Sequence, residues 1–179
     1  MTNRTFPNTL SKSVRGLGFI VALVSWCLST SAETHAPPSP ENALIKLSRT
    51  RCYGSCPSYS VEVNAAGEVK FHGFHFVKSE GLHIRNIPPE KVSALVNEIV
   101  SAGFMDLTQK EVDECPDSWT DSPTAHLQVK FNGNENTIKH YHGCRGKDLY
   151  QTLIDLESRV DEVLETEIWI KGPPFVKGQ

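Results

Sequence analysis

The chain has 179 residues and carries 18 Lys and Arg against 21 Asp and Glu, a net charge of −3. That acidity argues against nucleic-acid binding, which needs clustered Lys and Arg on a phosphate-facing surface, and against docking on anionic lipid. The length suits one domain with one core, and no internal repeat is visible.

The first segment reads as a leader. Arg4, Lys12 and Arg15 precede the apolar run "LGFIVALVSWCLST", and small residues Thr30 and Ala32 follow. A basic start, a short apolar core and a small-residue exit form the pattern of a secretory signal peptide. The run is shorter than the ~20 residues that span a bilayer. Residues 1–32 are therefore expected to be a signal peptide cut after Ala32, with an uncleaved anchor as the alternative. A lipoprotein would need a small residue before Cys27, where Trp26 stands. Loss of Arg4, Lys12 and Arg15 would take the net charge from −3 to −6. Export places the chain in the periplasm or outside the cell, with no transmembrane span after cleavage.

"ETHAPPSPENA", residues 33–43, is proline-rich and polar, the composition of a linker. Strand signals follow. "LIKLSR" puts Ile45 and Leu47 on one face. "SYSVEVN" alternates Tyr59, Val61 and Val63 with Ser60, Glu62 and Asn64, and "AAGE" turns the chain into "EVKFHGFHFV". Gly73 breaks that alternation and predicts a bulge, with Val69, Phe71, Phe74 and Phe76 on the buried face. "GLHIRNI" predicts a fourth strand with Leu82 and Ile84 inward and His83 and Arg85 outward.

"IPPEKVSALVNEIVSAGF" predicts a helix. Its prolines lie in the first turn, where no amide hydrogen is missed, and Val92, Leu95, Val96, Ile99 and Val100 form a stripe that Gly103 ends. Residues 108–123, "TQKEVDECPDSWTDSP", read as a long polar loop, of a length that is usually functional or tied down. Glu111, Asp113, Glu114 and Asp117 make it acidic, and Trp119 is an exposed aromatic suited to binding. "TAHLQVKF" and "NTIKHYH" are two strands around an Asn132-Gly133 turn. "GKDLYQTLIDLESRVDEVLE" is a helix with Leu149, Leu153, Leu156, Val160 and Val163 on one face. Trp169 in "IWIKGPP" packs back, and residues 171–179 form a disordered tail. The order β-β-β-β-α-β-β-α over residues 44–170 predicts an α+β domain, an antiparallel sheet of about six strands with two amphipathic helices on one face.

Beyond the leader lie Cys52, Cys56, Cys115 and Cys144. An even number in an oxidising compartment reads as two disulfides, with three pairings allowed and none selected by the sequence. Cys52 with Cys56 would close a tight loop that adds little chain-entropy stabilisation but fixes a knuckle presenting Arg51, Tyr53 and Ser55. Cys115 with Cys144 would fasten the long loop, at roughly 3–4 kcal/mol in the entropic account. Pairing across these two sets stays open. A redox dithiol prefers two intervening residues at a helix N-terminus, whereas three intervene here and a strand follows. A four-cysteine zinc site would need a tighter second pair and would compete with oxidation.

All seven histidines lie beyond Ala32. His140 and His142 share a strand face, His72 and His83 are candidate neighbours across a hairpin, and His126 is a candidate to face His140 or His142. Zinc or copper accepts such imidazoles, so these five are the candidate metal ligands. Against that stands the reading of polar residues on an uncovered sheet face. Hydrolase signals are weak, with no Gly-x-Ser-x-Gly elbow, and no catalytic residue is assigned. Asp121 in "TDSPT" suits a turn cap or a pairing with Arg49 or Arg51.

The stretch "RTRCYGSCPSYSVEVNAAGEVKFHG", the proline-started helix ending in "GFMDL", the "TDSPT" segment and the last helix with "IW" together resemble a bacterial exported family, the domain of unknown function 6438. Arg-Thr-x-Cys-x-Gly-x-Cys-Pro-x-Tyr, residues 49–59, is the strongest carrier. The resemblance implies an exported α+β domain. The expected function is a disulfide-stapled, non-catalytic binding domain that needs no cofactor and meets a protein or small ligand of the cell envelope through Arg51, Tyr53, Trp119 and Asp121. The alternative is a metal-binding or thiol-redox protein of the envelope.

Overall fold

A computed structural model describes residues 42–171. The expected signal peptide, nearly all of the linker and the tail beyond Lys171 lie outside the described residues. Six strands form one antiparallel sheet in the order β4-β3-β2-β1-β6-β7. They are β1 (Leu44–Arg49), β2 (Ser58–Asn64), β3 (Glu68–His75), β4 (Gly81–Asn86), β6 (Thr124–Phe131) and β7 (Asn134–Tyr141). Helices α1 (Pro89–Ser101) and α3 (Asp148–Val163) bring their apolar faces into the same core as the inward residues of the strands. The sheet is thus covered by helices on one face, and the α+β expectation holds.

The alternation rule explains which residues are inside. Ile45, Leu47, Val61, Val63, Val69, Phe71, Leu127, Val129 and Ile138 alternate with polar neighbours and are all buried. Each contributes on the order of 1.5–3 kcal/mol by leaving water. Tyr59, Phe71 and Trp169 stack in series, with ring centroids 5.3 and 4.9 Å apart. Trp169 lies on a short helix, α4 (Glu167–Ile170). The β6–β7 turn uses Asn132 (φ 49°) and Gly133 (φ 79°), the left-handed pair that matches the twist of a two-residue hairpin.

Three expectations are corrected. The bulge falls on Phe74: Tyr59 pairs with Gly73 but Ser58 with His75, so Phe74 is the extra residue. Phe74 and Phe76 are exposed rather than buried. Gly73 is required for another reason, because a Cβ there would lie 2.2 Å from the Ser79 carbonyl oxygen. On β4 the faces are inverted. His83 sits opposite Phe71 and Arg85 opposite Val69, so these two share the helix side, and Leu82 and Ile84 are exposed on the open face. The inversion is stabilised locally: Arg85 pairs with Glu165 at 2.7 Å and the His83 ring lies 6.3 Å from that of Trp169. On α1, Val100 turns outward and Ser93 takes an inner position.

The long polar loop is partly regular. Thr108 caps α2 (Gln109–Asp113) in a reciprocal box with Glu111, the Thr-x-x-Glu signature of a helix start. Gln109 then accepts from the Lys139 amide and donates to the Lys139 carbonyl, both at 2.8 Å, closing the outer edge of β7 as a neighbouring strand would. Two-residue strands β5 (Asp117–Ser118) and β8 (Cys144–Arg145) pair next to the Cys115–Cys144 disulfide.

Candidate functional site

The cysteines pair as Cys52–Cys56 and Cys115–Cys144, with Cα separations of 5.6 and 5.4 Å. The first disulfide closes a knuckle between β1 and β2, and Tyr53 at its tip is 90 % exposed. The second fastens the start of the 114–123 segment to β8. The two regions adjoin. The Tyr53 amide donates to the Asp121 carbonyl at 3.2 Å, and Thr50 exchanges two 2.9 Å bonds with the Thr124 backbone. Trp119 is 65 % exposed, and the Arg145 guanidinium lies 4.5 Å over its ring. The Trp119 backbone is fixed: its amide donates to the Gly143 carbonyl, and its carbonyl accepts from the Tyr141 hydroxyl, both at 2.9 Å. Asp121 adopts φ 67° and its carboxylate accepts from the Thr120 hydroxyl. It does not pair with Arg49. Arg51 is exposed and, among the described residues, makes no ion pair.

The five candidate metal ligands do not come together. His72 and His126 lie on the open face, opposite Leu82 and Lys139 respectively. His83 is on the other side of β4 and does not neighbour His72. His140 and His142 continue the inward register of Ile138 and face the helices, not solvent: His140 is 1 % exposed. Strand alternation from Ile138 contained this information.

What those two histidines meet was not expected. Glu157 projects from α3 beside Leu156 and is almost fully buried. Its carboxylate accepts from His140 Nδ1 at 2.9 Å, His142 Nε2 at 2.6 Å and Arg49 Nη1 at 3.3 Å. One helical turn later, Asp161 accepts from Arg49 Nε and Nη2 at 3.0 and 2.8 Å, from the Tyr59 hydroxyl at 2.6 Å and from the Thr166 hydroxyl at 2.9 Å. Arg49 is the next inward residue after Leu47 on β1, and Tyr59 is its cross-strand partner on β2. The i, i+4 spacing of Glu157 and Asp161 within the leucine stripe was the available signal.

The electrostatics follow from the contacts. Burial alone would raise the Glu157 pKa, but hydrogen bonds from His140 and His142 and the Arg49 charge more than offset it, leaving the carboxyl below its ordinary value. Burial works against the Arg49 charge, and Asp161, Tyr59 and Glu157 outweigh it, so the guanidinium is held charged. Burial and the neighbouring Asp161 charge push the Tyr59 hydroxyl far up, so it remains a donor.

His140, His142 and Glu157 offer three ligand atoms within 4.8 Å of one another. Two features of this set bear on metal binding. A metal on His140 Nδ1 would leave the proton on Nε2, and that atom is buried with no hydrogen-bond partner. Arg49 would also be a second cation within hydrogen-bond reach of the same carboxylate. Two carboxylates facing one guanidinium leave one negative charge.

A sequence profile of the family described as Domain of unknown function (DUF6438) matches residues 43–164, from ahead of β1 to the end of α3, and the chain belongs to that family. No curated protein matches.

Proposed function

We propose that this member of the family is an exported, non-catalytic binding domain whose contact surface is built from Arg51, Tyr53, Trp119 and Asp121. The observation that carries the reading is the tip of the knuckle. Tyr53, 90 % exposed, stands on a disulfide-closed turn that is bonded through its amide to Asp121, in a segment anchored by the other disulfide. A large aromatic held out on a rigid support loses little conformational entropy on contact, and such residues carry much of the energy of many interfaces. Arg49, Tyr59, Glu157 and Asp161 are paired with one another rather than aimed at solvent, which supports a scaffold role for them. Two disulfides and a leader-like residues 1–32 support an oxidising location, periplasmic or secreted. No helix among the described residues is long and apolar enough to cross a membrane. The partner class is a protein or small ligand of the cell envelope.

The test has two parts. Fractionated cells should yield the protein outside the cytoplasm, shortened at the leader, with both disulfides formed by mass spectrometry under non-reducing conditions. Cross-linking in the intact envelope should then give adducts with the wild type that Tyr53→Ala with Trp119→Ala abolishes. Adducts unchanged in that double variant would overturn the reading.

The His140, His142 and Glu157 cluster gives one specific ground for the metal alternative. Addition of Zn²⁺ to the purified protein decides it. A rise in melting temperature that Glu157→Gln removes would favour metal binding, and no rise would leave the cluster as an ion-pair network.

A further inference from the structure

At the foot of the knuckle, the ends of β1 and β3 and the starts of β2 and β6 surround an open cleft of about 620 Å³. That volume lies within the usual range for small-molecule sites. Arg51, Ser58, Tyr59, Phe74, His75 and His126 contribute to its lining, and none of its lining residues is acidic, although acidic residues outnumber basic ones in the chain. We propose that this cleft binds the carboxylate of a small aromatic acid, with Arg51 and the Ser58 hydroxyl receiving the carboxylate and Phe74 receiving the ring. The inference rests on reading the knuckle as a binding element, and adds the ligand chemistry.

Three observations converge. Arg51 has no side-chain partner among the described residues, whereas Arg49, two positions earlier, is saturated by Asp161, Glu157 and Tyr59. Its guanidinium therefore keeps the planar fork that matches a carboxylate. Ser58 is 8 % exposed, yet its hydroxyl has no hydrogen-bond partner among the described residues, and it lines the cleft. The oxygen is not a buried unpaired atom, so it reaches the open cleft and is available to donate to a ligand there. Phe74 is the residue extruded by the bulge in β3. It is 43 % exposed and its ring lies 4.7 Å from that of His72, giving an apolar wall beside the polar end. Bulges often serve to re-aim a side chain next to a site.

The experiment is an amide chemical-shift titration of the purified exported protein with benzoate, with benzyl alcohol as the neutral analogue and inorganic phosphate as the anion without a ring. Saturable shifts are expected for benzoate at the knuckle, the start of β2 and the end of β3, with weaker responses to both comparators. Arg51→Gln should weaken benzoate binding about tenfold or more, as loss of a charged hydrogen bond does. Phe74→Ala and Ser58→Ala should weaken it by smaller factors, and added salt should weaken the wild type. No saturable shift, a response indifferent to Arg51→Gln, or phosphate or benzyl alcohol binding as tightly as benzoate would overturn the proposal. Arg51 is exposed, so its variant should fold, and an unchanged spectrum without benzoate verifies this. Tyr53→Ala does not touch the cleft lining. Absent benzoate binding, together with envelope adducts that still depend on Tyr53 and Trp119, would remove this inference alone.

Discussion

Arg49 and Arg51 leave the end of β1 two residues apart and meet opposite surroundings. Arg49 continues the inward alternation of Ile45 and Leu47, passes under α3 and is bound by two carboxylates and a phenol. Arg51 lies past the end of the strand, on the knuckle, and is exposed. The same side chain is structural in one place and available in the other, and the difference is set by where the strand stops. A charge committed to the interior stabilises only while its partners stay, whereas an exposed one adds little to stability and can serve contact.

The comparison is broken most forcefully at Glu157. Replacing it with Ala leaves Arg49 short of one partner and His140 without its acceptor, in a place where water does not reach. The expected loss is about 3–5 kcal/mol, the range for removing one member of a buried ion pair. Arg51→Ala should stay within about 0.5 kcal/mol of the wild type. Urea unfolding of both variants checks the contrast, and equal losses would show that the two arginines are not distinguished by burial.

The two disulfides extend the same contrast from charge to covalent closure. Cys115 and Cys144 are separated by 29 residues, Cys52 and Cys56 by 4. In the chain-entropy account the longer closure contributes about 3–4 kcal/mol and the shorter about 2 kcal/mol. Replacing both members of each pair by Ser and comparing melting profiles tests the order. The shorter pair should instead have its main effect on envelope adducts, since it fixes Tyr53.

A gentler form of the first experiment uses acid. The Glu157 carboxyl is held below its ordinary value, so its contribution is fully present above about pH 4.3, the unperturbed glutamate value, and is lost as pH falls through the lower folded value. The stability gap between wild type and Glu157→Gln should therefore be widest near neutral pH and should narrow below pH ~4. Urea midpoints measured from neutral to acid pH give the profile, and a gap that widens on acidification would reverse the assignment.

Much of this architecture was legible in the chain because β2 and β6 alternate cleanly and the two long helices carry clear apolar stripes, apart from Val100 at the end of α1. The turn at Asn132-Gly133 and the proline-started α1 were equally plain. β4 was not, because Leu82, His83, Ile84 and Arg85 alternate either way and only the register with Phe71 and Val69 chooses the face. The bulge is ambiguous for a related reason: Gly73 invites it sterically, but Phe74 is the residue left over. In the site, the exposed aromatics were readable from loop composition. The Glu157 and Asp161 network was harder to read: their i, i+4 spacing hints at a shared partner, but apolar spacing already accounts for Leu156 and Val160, and that partner on β1 lies more than 100 residues away.

A further small effect concerns Trp119. Arg145 lies over its ring, an exposed cation–π contact worth about 0.5–1 kcal/mol, while its guanidinium also donates to the His142 and Cys144 carbonyls at 2.8 and 2.9 Å. Arg145 is therefore held by the backbone of the β7–β8 connection and in turn holds the indole. Trp119→Ala removes only the ring, since the backbone bonds to Gly143 and Tyr141 do not depend on it. Stability should fall by no more than about 1 kcal/mol, whereas Arg145→Ala should lose the ring contact and both carbonyl bonds and cost more. Melting of the two variants, read beside envelope cross-linking, separates the roles. If Trp119→Ala is nearly neutral in stability and still loses adducts, the indole is a contact residue on a fixed stem. If it unfolds the domain as readily as Arg145→Ala, the ring is part of the fold and the contact surface contracts to the knuckle.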